Sequence, residues 1–314
     1  MNPVGNAIEI IGLSKSFGPY KAVDQLDLVV KKGDIFGFLG PNGAGKTTTL
    51  RMLAGLSKPD SGEMRLLGKA VRFGSMAGRE SIGYLPDVPE CYGYMKPVEF
   101  LSFCGALFGL DANAQKKRSL ELLDLVGLSN VNKRIGSFSR GMKQRIGIAQ
   151  ALVNEPEIVF MDEPASALDP MGRFDVMEIL TKLKGNTTVF FSTHIITDIE
   201  RVCDTVAIID KGKLLECGSI PDLKSKFDNQ TVSIGFSSIT PDEEINRFIE
   251  ALKHMQWCSG VVIKKRTELL IVVTDRGMAQ MALPGLVSEH RLSLSAFDSM
   301  AISLEDVFFK VVGK

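Results

Sequence analysis

The sequence has no excess of charge of either sign, because its 314 residues include 37 basic and 37 acidic side chains. A net charge of zero argues against the strongly basic surface of a nucleic-acid-binding protein. A local basic patch is still compatible with this net charge. We therefore expect no nucleic-acid partner. Long apolar runs are also missing, since none reaches the roughly 18 residues that a membrane-spanning helix requires. The first ten residues show no basic stretch followed by an apolar core, so we expect no secretory signal there.

Cysteine is scarce and has no pattern. The five cysteines are an odd number, and no two of them stand in a C-x-x-C spacing. We expect reduced, mostly packed thiols of a cytosolic protein, at Cys91, Cys104, Cys203, Cys217 and Cys258. Hydrophobic residues nevertheless make up 45% of the chain. That share fits either a well-filled core or a surface that docks a partner.

The segment from Gly40 to Thr48 is the most informative part of the sequence. It contains the complete phosphate-binding pattern G-x-x-x-x-G-K-[ST]. An apolar run at 35–39 predicts a buried strand before it, and a helical pattern that stops at Gly55 follows it. The backbone N–H groups of such a loop and of a helix N-terminus bind phosphate. The expected phosphate-binding residues are Gly40, Asn42, Gly43, Ala44, Gly45, Lys46, Thr47 and Thr48.

Two adjacent acids end a second apolar strand, at 158–161. Asp162 suits the coordination of magnesium, and Glu163 suits the polarisation of a water that attacks the outer phosphate. A lone pair of acids at this position is also typical of a solvated strand end. A phosphate loop together with such acids fits kinases, GTPases and many ATPases, so further motifs are needed to choose among them.

Three more segments occur in a fixed order around these acids. Ser139 and Gly141 precede a helical run and would form a second anion site, although Ser139 alone would be only a helix cap. Asp169 lies in the segment 165–170 that follows the acids. His194 ends an apolar strand at 188–191, where a lone histidine is more often structural.

Together these motifs resemble those of the ATP-binding cassette (ABC) ATPases over about residues 7–220. The resemblance implies an α/β fold: a P-loop NTPase cassette with a RecA-like core, an antiparallel β subdomain and a helical subdomain. It implies an ATPase with ATP and Mg²⁺ as cofactors. It also implies catalytic roles for Glu163 and His194, and a head-to-tail pair of subunits in which one subunit's signature reaches the other's nucleotide. The metal ligands implied are Thr47, Asp162 and Asp87, and the further nucleotide contacts implied are Phe17, Asp87, Ser139, Arg140, Gly141 and Asp169.

Three of the residue roles implied by the resemblance stay open. Phe17 would stack on adenine, but Tyr20 is a competing choice. Arg140 replaces the first glycine of the usual signature, which leaves the contact with the partner's nucleotide in doubt. Asp87 replaces the usual glutamine, which leaves the magnesium and coupling chemistry in doubt.

A change of composition near 218–221 predicts a boundary between a cassette at 1–220 and an accessory α+β domain at 221–314. The second segment has a β-α-β-β-α-β pattern, the order of a ferredoxin-like domain, and we expect a structural or regulatory role. Its tail, 303–308, and the Ser-Arg-Gly-Met signature resemble those of exporter-type ATPases. That branch implies a separate membrane permease, a homodimer or paired ATPase subunit, and a peripheral location at the cytoplasmic face of the cell membrane.

Two other functions remain compatible with the motifs. One is a soluble ABC ATPase of a non-transport process, and the other is a nucleotide-gated binding subunit with little turnover. Glu163 argues against the second. Residues 89–110 are expected to hold the permease-docking surface, although at least half of their large apolar side chains should fill the helical subdomain's own core: Tyr92, Tyr94, Met95, Phe100, Phe103 and Phe108. The transported substrate is not predicted, since its selection would lie in the permease.

Overall fold

A computed structural model describes residues 5–74, 79–166, 168–228, 231–298 and 302–313. The chain divides into two compact units, residues 1–217 and 218–314. The strands of the first unit are β1 (Asn6–Phe17), β2 (Tyr20–Lys31), β3 (Ile35–Leu39), β4 (Ser61–Leu66), β5 (Lys69–Ala70), β6 (Ile82–Leu85), β7 (Ile158–Asp162), β8 (Thr188–Thr193), β9 (Thr205–Asp210) and β10 (Lys213–Ser219). Its helices are α1 (Lys46–Leu53), α2 (Pro97–Leu107), α3 (Ala112–Leu125), α4 (Arg140–Ala151), α5 (Pro170–Leu183) and α6 (Ile196–Val202).

The antiparallel sheet of the first unit has the strand order β2-β1-β4-β5. β1 and β2 form the antiparallel pair that the alternation of apolar and polar residues predicts before the phosphate loop. Alternate residues of each strand face inward, which is why the burial pattern of β2 alternates over its second half.

The larger sheet has the order β10-β9-β3-β8-β7-β6, and β9, β3, β8, β7 and β6 run parallel. Every residue of β3 and β7 is buried, as continuous apolar runs predict for central parallel strands. Because parallel strands end at the same edge of a sheet, the phosphate loop, the two acids, His194 and Asp87 all follow strands at one edge. The order of strands therefore assembles the site from segments that are far apart in sequence.

Helix α1 lies between the two sheets and shares one apolar core with them. Its Leu50 and Leu53 belong to the same buried cluster as Ile10 of β1 and Phe160 of β7. The α/β cassette predicted from the motifs is thus present, with the helix of the phosphate loop at its centre.

Helices α2, α3 and α4 pack against one another and form a helical part of the first unit. The expectation that at least half of the large apolar side chains between Pro89 and Leu110 fill its core is wrong. Of these six side chains only Phe100 is buried, and Met95 is half-buried. The other four are exposed: Tyr92, Tyr94, Phe103 and Phe108. Tyr92 instead packs edge-on against Phe103, with 5.7 Å between ring centroids, on the surface of α2.

The second unit contains α7 (Ile220–Asp228), β11 (Thr231–Phe236), α8 (Asp242–Lys253), β12 (Cys258–Lys265), β13 (Glu268–Val273), α9 (Arg276–Glu289), β14 (Leu294–Asp298) and α10 (Leu304–Val312). The elements from β11 to β14 follow the β-α-β-β-α-β order expected from the sequence. They form an antiparallel sheet of order β12-β13-β11-β14, with α8 and α9 packed on it through one apolar cluster. α10 contacts α7, β12 and β13. Lys264 of β12 lies 2.7 Å from Asp306 of α10, and both side chains are largely buried.

Candidate nucleotide-binding site

The phosphate loop depends on glycine at two positions. Gly43 and Gly45 have φ angles of +81° and +101°, which residues other than glycine rarely adopt. A Cβ on Gly45 would also overlap the carbonyl oxygen of Ala22. α1 begins at the next residue, so the free N–H groups of its first turn lie beside the loop. This geometry suits the binding of an anion.

Lys46 is buried in this loop, with its side chain 6% exposed. Its Nζ donates to the carbonyl oxygens of Gly40 at 2.7 Å and of Pro41 at 3.1 Å. The same Nζ lies 3.3 Å from Oε1 of Glu163. The ammonium group is therefore held at a fixed point between the loop and the acid.

Glu163 also contacts His194, whose Nδ1 lies 3.1 Å from Oε1 and 3.0 Å from Oε2. The structure thus joins three sequence-predicted residues into one chain of polar contacts: Lys46, Glu163 and His194. The Glu163 side chain is 13% exposed and that of His194 is 43% exposed, so the histidine end is open to solvent.

The backbone of Glu163 explains how two neighbouring acids serve one site. Glu163 has φ +47°, an uncommon value for a residue other than glycine. Ser192 of β8 supports this conformation, because its hydroxyl accepts the N–H of Glu163 at 3.0 Å. The same hydroxyl donates to Oδ1 of Asp162 at 2.6 Å. Sequence reasoning missed Ser192; its place two residues before His194 at a strand end is the signal that could have found it.

A cavity of about 530 Å³ beside the loop brings together the three predicted metal ligands. Thr47, Asp87 and Asp162 all line it. Their hydroxyl and carboxylate oxygens are the donors that Mg²⁺ prefers, and Mg²⁺ commonly takes its remaining ligands from phosphates and water. Among the described residues there is no group of three or more histidine, cysteine, aspartate or glutamate side chains that could hold a metal ion. The residues therefore fit a magnesium ion that arrives with a nucleotide rather than an all-protein metal cage.

Asp87 lies in an electrostatically unfavourable position. Burial raises the pKa of its carboxyl group, and the charges of Asp162 and Glu163 raise this pKa further. Arg140 and a hydrogen bond from Ser166 act in the opposite direction. A divalent cation among the three carboxylates would stabilise their ionised forms.

Phe17 and Tyr20, the two candidates for the adenine contact, differ in their surroundings. The ring of Phe17 is 54% exposed, with Nζ of Lys15 at 5.5 Å from its centroid. The hydroxyl of Tyr20 donates to the carbonyl oxygen of Gly43 at 2.6 Å. Tyr20 is therefore tied to the phosphate loop, whereas the Phe17 ring is available for stacking.

Ser139, Arg140, Gly141 and Asp169 lie at the starts of two helices. Ser139 caps α4 by accepting the N–H of Met142 at 3.3 Å, and Asp169 caps α5 by accepting the N–H of Gly172 at 3.2 Å. Arg140 is the first residue of α4. A Cβ on Gly141 would meet only Cδ2 of Leu168, at 3.9 Å, so the signature backbone is accessible there. Ala167, in the segment after the acids, lies outside the described residues.

The five cysteines are free thiols, as expected. Burial raises the pKa of Cys91 and Cys104 to about 11. A thiol with such a pKa stays protonated near neutral pH and reacts poorly. None of the five cysteines lines the cavity that contains Asp87.

Comparison with known proteins identifies the family. The family model described as "ABC transporter" matches residues 23–166. An uncharacterised ABC transporter ATP-binding protein of Bacillus subtilis, YxlF, is 38% identical over 306 residues, which is 97% of this chain and 99% of the relative. The Nod factor export ATP-binding protein I of Ralstonia nicotianae is 32% identical and covers 98% of this chain and 94% of its own.

A solved structure agrees with this assignment. The cbiO1 protein of Clostridium perfringens, part of the ABC transporter complex cbiONQ, has a TM-score of 0.65 and 27% identity. The match covers 70% of this chain and 91% of cbiO1. Family, relatives and fold agree with the motifs and with the geometry of the site, and the chain belongs to the ATP-binding, ATP-hydrolysing subunits of ABC transporters.

Proposed function

We propose that the chain hydrolyses MgATP to power a separate membrane permease, and that the transport is export. The main support for ATP hydrolysis is a chain of polar contacts from Lys46 through Glu163 to His194. This chain lies at the edge of the sheet where the phosphate loop begins. The relative named for Nod factor export supports the direction, and cbiO1, part of a transporter complex, supports a permease in a different chain.

The roles of the site residues follow from their positions. The N–H groups of the loop and the Lys46 ammonium bind the phosphates. Thr47, Asp162 and Asp87 would hold a magnesium ion, which when bound would neutralise part of the phosphate charge. Glu163 orients the attacking water and accepts its proton. His194 holds the Glu163 carboxylate and offers a polar contact to the outer phosphate.

Ser139, Arg140, Gly141 and Asp169 are proposed to act on the nucleotide of a second subunit. The starts of α4 and α5 present N–H groups and capping side chains, which suit an anion brought by another molecule. The second subunit is a copy of this chain or a paired ATPase subunit. A head-to-tail pair would therefore contain two nucleotides, each contacted by both subunits.

Glu163→Gln tests the catalytic assignment. The amide keeps the shape of the side chain but loses the basic oxygen, so we expect hydrolysis to fall by about 100-fold or more while ATP still binds. The matched control is Glu63→Gln, whose side chain is 68% exposed on the antiparallel sheet. Equal turnover by the two variants would remove Glu163 from the catalytic step.

Within the expected docking stretch 89–110, we propose that the permease contacts the part that lines a groove of about 350 Å³ between α2 and β6, namely Cys104, Leu107 and Phe108. Apolar side chains at its rim are exposed, with Leu107 at 72%, Leu56 at 54% and Phe108 at 50%. Tyr84 of β6 lines both this groove and the cavity that contains Asp87. An apolar segment of a permease seated here would lie close to the proposed magnesium ligands.

Photocrosslinking tests this surface. A photoreactive amino acid at Leu56 or Leu107 should crosslink to a permease that is co-expressed with this chain and assembles with it. The control position is Val29, on the antiparallel sheet, which has the same 54% exposure as Leu56. Crosslinks from Val29 but not from the groove would place the docking surface elsewhere.

No helix among the described residues combines the length and the apolar character needed to cross a membrane. We propose that the chain associates with the cytoplasmic face of the cell membrane through the permease. The proposed domains are a cassette at 1–220 and an accessory domain at 221–314, the latter with a structural or regulatory role.

A further inference from the structure

The helix that begins at the signature is fastened to the strand that leads to Asp87. Gly83 of β6 packs directly on the end of α4, where a Cβ would overlap the carbonyl oxygen of Ala151. Asn154, three residues beyond α4, donates its side-chain amide to the carbonyl oxygens of Glu80 at 2.8 Å and of Ile82 at 3.1 Å. The C-terminal end of α4 is thereby held to β6.

A third contact lies nearer to the signature. Gly147 is in the middle of α4 and faces Pro89, two residues after Asp87. A Cβ at position 147 would lie 2.7 Å from both Cβ and Cγ of Pro89 and 2.9 Å from Cδ1 of Leu85. The end of a leucine side chain can move aside, but a proline ring cannot. Only glycine therefore allows α4 and the loop after β6 to approach this closely.

These contacts leave little room for α4 and the loop after β6 to move relative to each other. A helix is stiff along its axis, and closely packed atoms transmit a displacement rather than absorb it. A shift of the loop after β6 would therefore move α4 as a body, including Ser139 at its start.

We infer that Gly147 is a positioning residue, which sets the signature of one subunit against the partner's nucleotide according to the position of the Asp87 loop. The inference rests on the proposed role of Ser139 in the second subunit's site. Gly147 lies on α4 and is not part of the phosphate loop between β3 and α1, so its effect should appear in the assembled pair and not in the first binding of ATP.

The test combines Gly147→Ala with a compensating change. Gly147→Ala should leave the Kd for ATP within about twofold. A displacement of the order of 1 Å can slow an enzyme by about 100-fold, so we expect kcat to fall by about 10- to 100-fold. ATP-dependent dimerisation in a Glu163→Gln background should weaken in parallel. Adding Pro89→Gly removes both ring atoms that meet the new methyl group, and should restore kcat to that of Pro89→Gly alone.

Two further variants make the result decisive. Gly285→Ala, in α9, is the matched control, because a Cβ there would meet nothing within 4 Å. Asn154→Ala removes two hydrogen bonds at the C-terminal end of α4 without adding bulk. It should also lower kcat and weaken dimerisation, by a smaller factor than Gly147→Ala does. If Gly147→Ala does not fold, the result with Asn154→Ala decides the test.

Three results would overturn the inference: unchanged kcat and dimerisation in Gly147→Ala, a loss that Pro89→Gly does not restore, or a loss that Gly285→Ala shares. A wild-type protein that hydrolyses no ATP, or a Lys46→Ala variant of normal activity, would instead refute the proposed function. The two failures are therefore distinguishable.

Discussion

At the scale of single residues, Lys46 already has protein partners on three sides. Its ammonium group donates to two loop carbonyls and faces the Glu163 carboxylate at 3.3 Å. A phosphate that binds in the loop must share or replace these contacts. We therefore expect Lys46 to link the binding of the nucleotide to the position of the Glu163 carboxylate.

Lys46→Ala should weaken ATP binding by about 10- to 100-fold and abolish turnover. A hydrogen bond to a charged group contributes about 1.5–3 kcal/mol, and each 1.4 kcal/mol corresponds to a tenfold change in Kd. Titration with ATP and an assay of phosphate release measure the two effects. The control is Lys117→Ala on α3, where the side chain is 81% exposed. Normal hydrolysis by Lys46→Ala would contradict the assignment of the phosphate loop.

Phe17→Ala should weaken the binding of ATP by about tenfold without changing the binding of inorganic triphosphate. Stacking of a base on an aromatic ring is worth about 1–3 kcal/mol, and triphosphate has no base. Tyr20→Phe, which loses the hydroxyl bond to Gly43, should instead weaken both ligands. Competition with a fluorescent ATP analogue measures all four affinities. If Phe17→Ala changed neither affinity, and Tyr20→Ala weakened the binding of ATP more than Tyr20→Phe does, adenine stacking would belong to Tyr20.

Asp87→Gln should retain hydrolysis but need about tenfold more free Mg²⁺ for the half-maximal rate, which corresponds to about 1.4 kcal/mol of metal affinity. A carboxylate is a better magnesium ligand than an amide, and Asp87 lines the same cavity as Thr47 and Asp162. The measurement is the ATPase rate against free Mg²⁺ for wild type, Asp87→Gln and Asp87→Ala. Superimposable curves would show that the Asp87 carboxylate does not reach the metal.

Residues of the candidate site could be predicted where they belong to a local sequence pattern. The glycine loop and the two acids are visible in the sequence because each follows a continuous apolar run. The bond between Tyr20 and Gly43 and the support of both acids by Ser192 were not visible, because each joins segments that only the folded chain brings together.

At the scale of elements, the boundaries were set by capping side chains that periodicity does not detect. α4 begins at Arg140, directly after Ser139, whose hydroxyl accepts the N–H of Met142. Likewise α9 begins at Arg276, directly after Asp275, whose side chain accepts the N–H of Met278. α7 was not predicted at all, since its Gly-Ser-Ile-Pro start was interpreted as a domain boundary. The central strands were predictable because they are buried on both faces.

In helix α10 one acid, Asp306, makes both a capping interaction and an ion pair. Asp306 accepts the N–H of Ser303 at 3.0 Å and so completes a capping box. Its other oxygen lies 2.7 Å from Nζ of Lys264 on β12. Burial alone would raise the pKa of Asp306, but the bonds to Lys264 and Ser303 outweigh it and lower this pKa.

Asp306→Asn should remove a pH-dependent part of the stability of the second unit. Because the folded-state pKa is lowered, the ionised Asp306 stabilises the fold above its unfolded-state pKa of about 3.9. This stability is lost as pH falls through the folded-state pKa. Denaturant unfolding from pH 7 to pH 3 should therefore show a steeper loss for wild type than for Asp306→Asn. Parallel curves would mean that the Lys264 contact contributes nothing. Glu289→Gln, at an exposed position at the end of α9, is an additional control for the general effect of acid.

At the scale of the whole molecule, we expect the site of one chain to need a second subunit for completion. The phosphate loop, the acids and His194 meet at one edge of the larger sheet, while Ser139 and Asp169 start helices whose N–H groups are available to a second nucleotide. ATP should therefore act as the link between two chains.

Glu163→Gln should form an ATP-dependent dimer that persists, because the nucleotide between the two chains is hydrolysed too slowly to release them. Size-exclusion chromatography with ATP and Mg²⁺ measures this, and ADP should leave the protein monomeric. Adding Ser139→Ala or Lys46→Ala to Glu163→Gln should reduce the dimer. A monomer under all conditions would remove the head-to-tail pair from the proposal.

The position of α10 has a consequence for how the chain is made. The first unit ends at residue 217, so all of its strands and helices have left the ribosome while the second unit is still being synthesised, and it can fold early. The sheet of the second unit has no such advantage, because its strands β12 and β13 contact α10, which follows them in the chain. Until α10 has emerged from the ribosome, β12 and β13 lack their contacts with it. The nascent second unit should therefore complete its fold only late in synthesis.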